Sequence, residues 1–180
     1  MPEFTTDWSS RHCEKWMEYL APLKDRPASG LELGTYEGRS AIWFLQNILT
    51  HPDSRLICID GWWSPEVHKR FLANIIEADV FMRCEPRRGN THNLLRGIRQ
   101  RFDFIFVDAD HKAPAVIQDA VLAWHNLNVG GILIFDDYLW TDSNSRNLPP
   151  KIGVDAFLAT HEGQYELLHK EWQVIVRKLF

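Results

Sequence analysis

Apolar residues fall into short dense runs separated by polar, Gly- and Pro-containing stretches, and the spacing alternates between helical and strand periods. Trp16, Tyr19, Leu20 and Leu23 share one helical stripe, which predicts an opening helix over about 9–23, ahead of Pro27 and Gly30. The run from Leu31 predicts a first strand, 40–49 a helix and Arg55–Asp60 a second strand. Ser64 followed by Pro65 reads as a hydroxyl cap with proline in the first turn, opening a helix that reaches about Ala78. Residues 80–85 predict a third strand, 91–100 a helix, and Phe102–Val107 a fourth strand without alternation, as a strand covered on both faces should look. A helix over 113–127 is expected to stop at Gly130-Gly131, with a fifth strand over 132–135. Beyond Pro149-Pro150, the pattern predicts a helix over 154–161 and a hairpin of strands 165–169 and 173–178, separated by Glu171-Trp172.

Alternating strands and helices predict an α/β fold with a parallel sheet and helices on both faces. Five parallel strands and a terminal antiparallel hairpin give a seven-stranded, mostly parallel sheet. With 180 residues, 45% of them hydrophobic, the chain suits one domain over 1–180, of which 1–29 is an N-terminal helical extension. The opening helix could pack on a partner subunit, so a homo-oligomer stays open.

Net charge is −4 with a pI near 6.0 and no block of consecutive lysines or arginines, which argues against a nucleic-acid partner. The cluster Arg83, Arg87, Arg88, Arg96, Arg99 and Arg101 reads as a solvated face. Three cysteines, Cys13, Cys58 and Cys84, lack metal-ligand spacing and suit reduced thiols in a cytoplasmic protein. The first residues carry no export signal, and no run is long enough to span a membrane, so no membrane partner is expected.

The candidate chemistry begins at Leu31 to Ser40, where a strand passes into a helix through Gly34 and Gly38. Both can take positive φ and let a ligand approach the main chain, the design of a nucleotide-like site. Glu32 would repel a pyrophosphate there and attract a cation. S-adenosylmethionine combines a nucleoside with an ammonium and a sulfonium, and answers that description. In an open α/β sheet the ligand lies beyond the carboxyl ends of the strands. Asp60 ends the second strand, suited to ribose hydroxyls or to a turn with Gly61. Asp108 and Asp110 follow the fourth strand, and Asp136 and Asp137 the fifth. Four carboxylates on one rim would raise one another's pKa, and a cation resolves the conflict. Oxygen ligands favour Mg²⁺, Mn²⁺ or Ca²⁺. Asp136 and Asp137 can share an ion only if the chain turns at Asp136.

The glycine loop resembles the first motif of the Rossmann-like class I S-adenosylmethionine-dependent methyltransferases. Phe106 to His111, together with Gly130 to Tyr138, resembles the divalent-metal-dependent O-methyltransferases, including the macrolide and aminocoumarin sugar enzymes, and Val154 to Phe157 resembles their following helix. The resemblance implies a Rossmann-like fold, with Glu32, Gly34, Thr35, Tyr36, Gly38 and Ser40 around the methionine part of the cofactor. Asp60, Gly61, Asn90, Thr91 and Asp108 would complete cofactor binding, although Asn90 or Thr91 also suits a helix cap. Asp108, Asp136 and Asp137 would hold a divalent cation, Mg²⁺ first. Asp110 would take the hydroxyl proton, with His111 as an alternative base or an exposed turn residue. His111 departs from the plant-type catechol and caffeoyl-thioester enzymes, which carry Lys after the Asp-x-Asp.

The expected function is metal-assisted O-methylation of a small-molecule hydroxyl. The alternatives are a metal-independent methyltransferase, a nicotinamide oxidoreductase and a non-catalytic cofactor-binding protein. Trp62, Trp63, Tyr138 and Trp140 stand where they could roof the site, and 140–150 is expected to form a mobile lid or acceptor loop.

Overall fold

The computed structural model describes residues 1–141 and 148–180; the middle of the expected lid lies outside the described residues. Seven strands form one sheet: β1 (Ser29–Leu33), β2 (Arg55–Asp60), β3 (Cys84–Arg88), β4 (Phe102–Val107), β5 (Leu127–Phe135), β6 (Tyr165–Lys170) and β7 (Val174–Lys178). Their order is β3-β2-β1-β4-β5-β7-β6, with β1 to β5 parallel and β7 antiparallel to both β5 and β6. Among the described residues, α1 (Cys13–Leu20) precedes the sheet and five helices connect its strands: α2 (Arg39–Asn47), α3 (Pro65–Glu77), α4 (Thr91–Gly97), α5 (Ala113–Asn126) and α6 (Pro150–Thr160).

Because β4 is central, its side chains feed a core on each face of the sheet. Phe104 and Phe106 enter one core with Trp16, Phe44 and Phe71. Ile105 and Val107 enter the other with Trp124, Phe135 and Phe157. Trp16 of α1 lies 4.7 Å from the Phe44 ring and 5.4 Å from that of Phe106, so the opening helix packs into its own chain.

Several boundaries differ from the sequence expectation. The opening helix is α-helical only over Cys13–Leu20, flanked by 3-10 turns, since Pro22 lacks the amide that would continue it. Strand β3 is Cys84–Arg88, not 80–85: Phe81–Arg83 form a 3-10 turn, and the strand runs through Pro86, which an edge position tolerates. Helix α5 ends at Asn126, with Leu127 already extended, so Gly130-Gly131 does not stop it and lies inside β5. Ser64 caps α3 as expected, accepting from Val67 N.

Registers Leu33 to Val107 and Val107 to Phe135 bring the tips of β1, β4 and β5 level. The ladder extends one residue further, Asp108 N donating to Leu33 O at 2.8 Å and Asp136 N to Val107 O at 3.0 Å. The residues just beyond those tips are therefore neighbours in space.

Candidate active site

The glycine loop turns as its spacing requires. Gly34 and Gly38 adopt φ of +85° and +86°, and Tyr36 between them is also left-handed at 51°. Glu32 is fully buried beneath this loop, accepting from Ser40 Oγ, with Cys58 Sγ at 3.7 Å from its second oxygen. Burial pushes its carboxyl up to about 7, against the hydrogen bonds that favour the anion. It ties α2 to β1 from behind the loop. Asp60 Oδ2 accepts from the amides of Thr35 at 2.9 Å and Tyr36 at 2.8 Å, and Oδ1 from Trp62 N at 2.6 Å. The carboxylate thus organises the loop and leaves limited acceptor capacity for another donor.

A cavity of about 590 Å³ opens above these elements. Gly34, Thr35, Tyr36, Ser40 and Asp60 line one side, and Asp108, His111, Asp136 and Asp137 the other. His111 Nε2 lies 3.2 Å from Asp137 Oδ2 and 3.6 Å from Asp108 Oδ1. One ligand atom each from Asp108, His111 and Asp137 fall within 4.8 Å of one another. Burial, then the charges of Asp136 and Asp137, push the Asp108 carboxyl well up. Burial, then Asp137, raise Asp136 to about 6, partly offset by the Asp137 amide donating to Asp136 Oδ1 at 2.8 Å. The turn comes at Asp137, whose φ is 55°, one residue later than the sequence suggests. Asp136 lines the cavity but stands outside the compact trio.

Other expected site residues fall elsewhere. Asp110 lines an adjoining cavity of about 400 Å³, which shares Ala109, His111 and Trp140 with the first, and accepts from Lys112 N at 3.0 Å. Asn90 caps α4 by accepting from Asn93 N at 3.2 Å, and Thr91 begins that helix. Neither of them, nor Glu32, Gly38 or Gly61, lines the main cavity. Of the aromatics expected to roof it, Trp140 does so. Trp62 is buried and donates to Tyr36 O at 2.8 Å, Tyr138 is buried behind the turn, and Trp63 faces the adjoining cavity.

Sequence reasoning missed the second wall. Phe4, Thr6, Trp8, Ser9 and Arg11 from the N-terminal segment line the cavity, as does Trp172 from the β6–β7 turn. That segment is strapped to the loop by Glu37, which accepts from Thr5 N at 2.7 Å and Thr5 Oγ1 at 2.8 Å and pairs with Arg70 at 2.6 Å. Arg39 Nε donates to Thr6 O at 3.1 Å and its guanidinium covers the Phe4 ring at 4.4 Å. The available signal was the aromatic in the hairpin turn.

The sheet order and the glycine loop over the β1 tip define a Rossmann-like methyltransferase fold. Residues 31–138 match a family profile described as a methyltransferase domain, and the chain belongs to that family. The uncharacterized protein R132 of Acanthamoeba polyphaga mimivirus is 26% identical over 114 residues, 60% of this chain and 50% of that protein. The chain thus spans about half the length of the curated relative it matches. An O-methyltransferase from Bacillus cereus, solved in complex with SAH, superposes with a TM-score of 0.74 at 22% identity, covering 97% of this chain and 84% of that one. A putative rRNA-methylase from Clostridium thermocellum gives 0.77 at 12% identity, covering 98% and 99%. At such identities the likeness fixes the fold and leaves the substrate to the site. Among the described residues, no helix is long and apolar enough to cross a membrane.

Proposed function

We propose that the protein is an S-adenosylmethionine-dependent methyltransferase acting on a small-molecule hydroxyl, with a divalent cation held at the tips of β4 and β5. The observation that carries this is the meeting of Asp108, His111 and Asp137 in the cavity that the glycine loop lines. The donor set suits a dication: two carboxylates and an imidazole converge, and burial and the neighbouring charges of Asp136 and Asp137 push the Asp108 carboxyl up, a conflict that a counter-charge resolves. Mg²⁺ is the first expectation from the oxygens, and the imidazole extends the choice toward Mn²⁺. Asp136 would contribute from the same wall.

The cofactor supplies an activated methyl group on a positive sulfonium. A bound cation would polarise the acceptor oxygen and ease loss of its proton. The chain's residues do the rest. The loop from Gly34 to Ser40 and Asp60 hold the donor, and Asp108 closes that side. Asp110, from the adjoining cavity, takes the hydroxyl proton while His111 Nε2 helps hold the cation; His111 is the base only in the reading without a cation. Phe4, Trp8, Tyr36, Trp140 and Trp172 exclude water from a step in which separated charges are cancelled.

A metal-independent route is the second reading, favoured by one observation. His111 lies 3.2 Å from Asp137, the arrangement of a base oriented by a carboxylate. The cavity's volume and its N-terminal wall favour a compact acceptor over a nucleic acid. The free thiols of Cys58 and Cys84 suit a reducing cytoplasm.

The deciding experiment follows methyl transfer from labelled S-adenosylmethionine to a panel of hydroxy compounds after dialysis against chelator. Loss of transfer with recovery on Mg²⁺ or Mn²⁺ supports the cation; undiminished transfer supports the second reading. Calorimetry with S-adenosylhomocysteine and with NAD tests the cofactor, and failure to bind the first would overturn the proposal.

A further inference from the structure

We propose that Trp172 is a positioning residue for Asp137: its indole N–H occupies one carboxylate oxygen and leaves the other to the cavity as a single, fixed donor. This rests on the cation reading above. Trp172 Nε1 donates to Asp137 Oδ1 at 3.2 Å, while its own carbonyl oxygen accepts from Tyr138 N at 2.9 Å. One residue therefore holds the turn after β5 at two points. The opposite oxygen, Asp137 Oδ2, is the one that faces His111 at 3.2 Å.

Asp137 needs such support. Its φ of 55° is a conformation that a residue with a Cβ keeps only when its surroundings over-determine it. A carboxylate on a short side chain can otherwise rotate and offer either oxygen, or both, to a cation. An N–H on Oδ1 blocks that rotation. The indole is itself fixed: the Arg11 guanidinium lies over its ring at 4.5 Å. The next residue, Gln173, is buried, and its Oε1 accepts from Trp16 Nε1 at 2.9 Å. The hairpin turn is thereby anchored to α1, and the orientation of Asp137 is set by elements at both ends of the chain.

The test is a Mn²⁺ titration of the full chain with S-adenosylhomocysteine present, reading free Mn²⁺ by electron paramagnetic resonance. Trp172→Phe keeps a ring beneath Arg11 and the main-chain bond to Tyr138 and deletes the N–H alone. Mn²⁺ affinity should fall about 10–100-fold, the usual effect of losing a group that orients a metal ligand. Affinity for S-adenosylhomocysteine should stay within about twofold and the melting temperature within about 2 °C, because a merely structural loss would move both. In an Asp137→Asn background the same substitution should change Mn²⁺ affinity less than about threefold, since the coupled partner is gone. Trp172→Phe binding Mn²⁺ like the wild type, or losing as much again in the Asp137→Asn background, overturns the positioning role and leaves the cation reading standing. A wild-type protein that takes up no Mn²⁺ brings down the cation reading, and this proposal with it.

Discussion

Gly34 packs so tightly against Asp108 that a Cβ built on the glycine would lie 1.9 Å from the Asp108 carbonyl oxygen. The contact joins the glycine loop to the first carboxylate of the acidic rim. Gly34→Ala would meet backbone, which cannot swing aside, and would also force alanine into φ of +85°. The two penalties together should cost about 3 kcal/mol, lowering the melting temperature by roughly 6–12 °C. Differential scanning calorimetry checks the stability, and titration with S-adenosylhomocysteine should show binding lost.

Glu32 makes stability depend on pH. Its carboxyl titrates at about 7 in the folded chain against a usual value of 4.5. Between those values the folded protein keeps a proton that the unfolded chain has released, so this group's contribution falls as pH rises from about 4.5 to about 7 and is flat above. Glu32→Gln removes the titration. Chemical denaturation should therefore show the variant gaining on the wild type by about 2–3 kcal/mol between pH 4.5 and pH 8. A pH-independent difference would refute the assignment.

His111 should matter to the reaction more than to the fold, since its side chain is 37% exposed and faces two carboxylates. His111→Ala should reduce single-turnover methyl transfer by about 10²-fold or more, whether the imidazole holds the cation or, without one, serves as the base. S-adenosylhomocysteine affinity should be unaltered.

Glu37 holds the N-terminal segment over the cavity through two hydrogen bonds from Thr5, and Arg70 of α3 pairs with it from the other side. Glu37→Ala leaves the Thr5 amide and the Arg70 guanidinium without their partner and frees the segment to lift. Stopped-flow displacement should show S-adenosylhomocysteine dissociating at least about fivefold faster, as expected when a covering element opens more often. Proteolysis should cut within 1–9 sooner than in the wild type.

The sequence disclosed most where local chemistry and burial agree. Phe102–Val107 and Arg55–Asp60 coincide with their expected boundaries because one is apolar throughout and the other ends sharply in Asp-Gly. The apolar run at Val80 drew the third strand four residues too early, while the true strand hides behind charged residues and Pro86 at an exposed edge. The acidic rim was legible because strand tips in a parallel sheet face the ligand. Asp136's separation from the trio was not, since it depends on a left-handed turn at Asp137. Nor were Arg11, Trp8 and Trp172, which reach the cavity through contacts far apart in sequence: the Glu37 strap, the Arg11 stack and the insertion of β7 beside β5.

The N-terminal wall and Trp172 lie outside residues 31–138, the stretch that carries the family signature. One wall of the cavity can therefore vary without touching the stretch by which the family is recognised. Exchange of Phe4, Trp8 or Arg11 would reshape that wall while every residue of the matched stretch stays as it was.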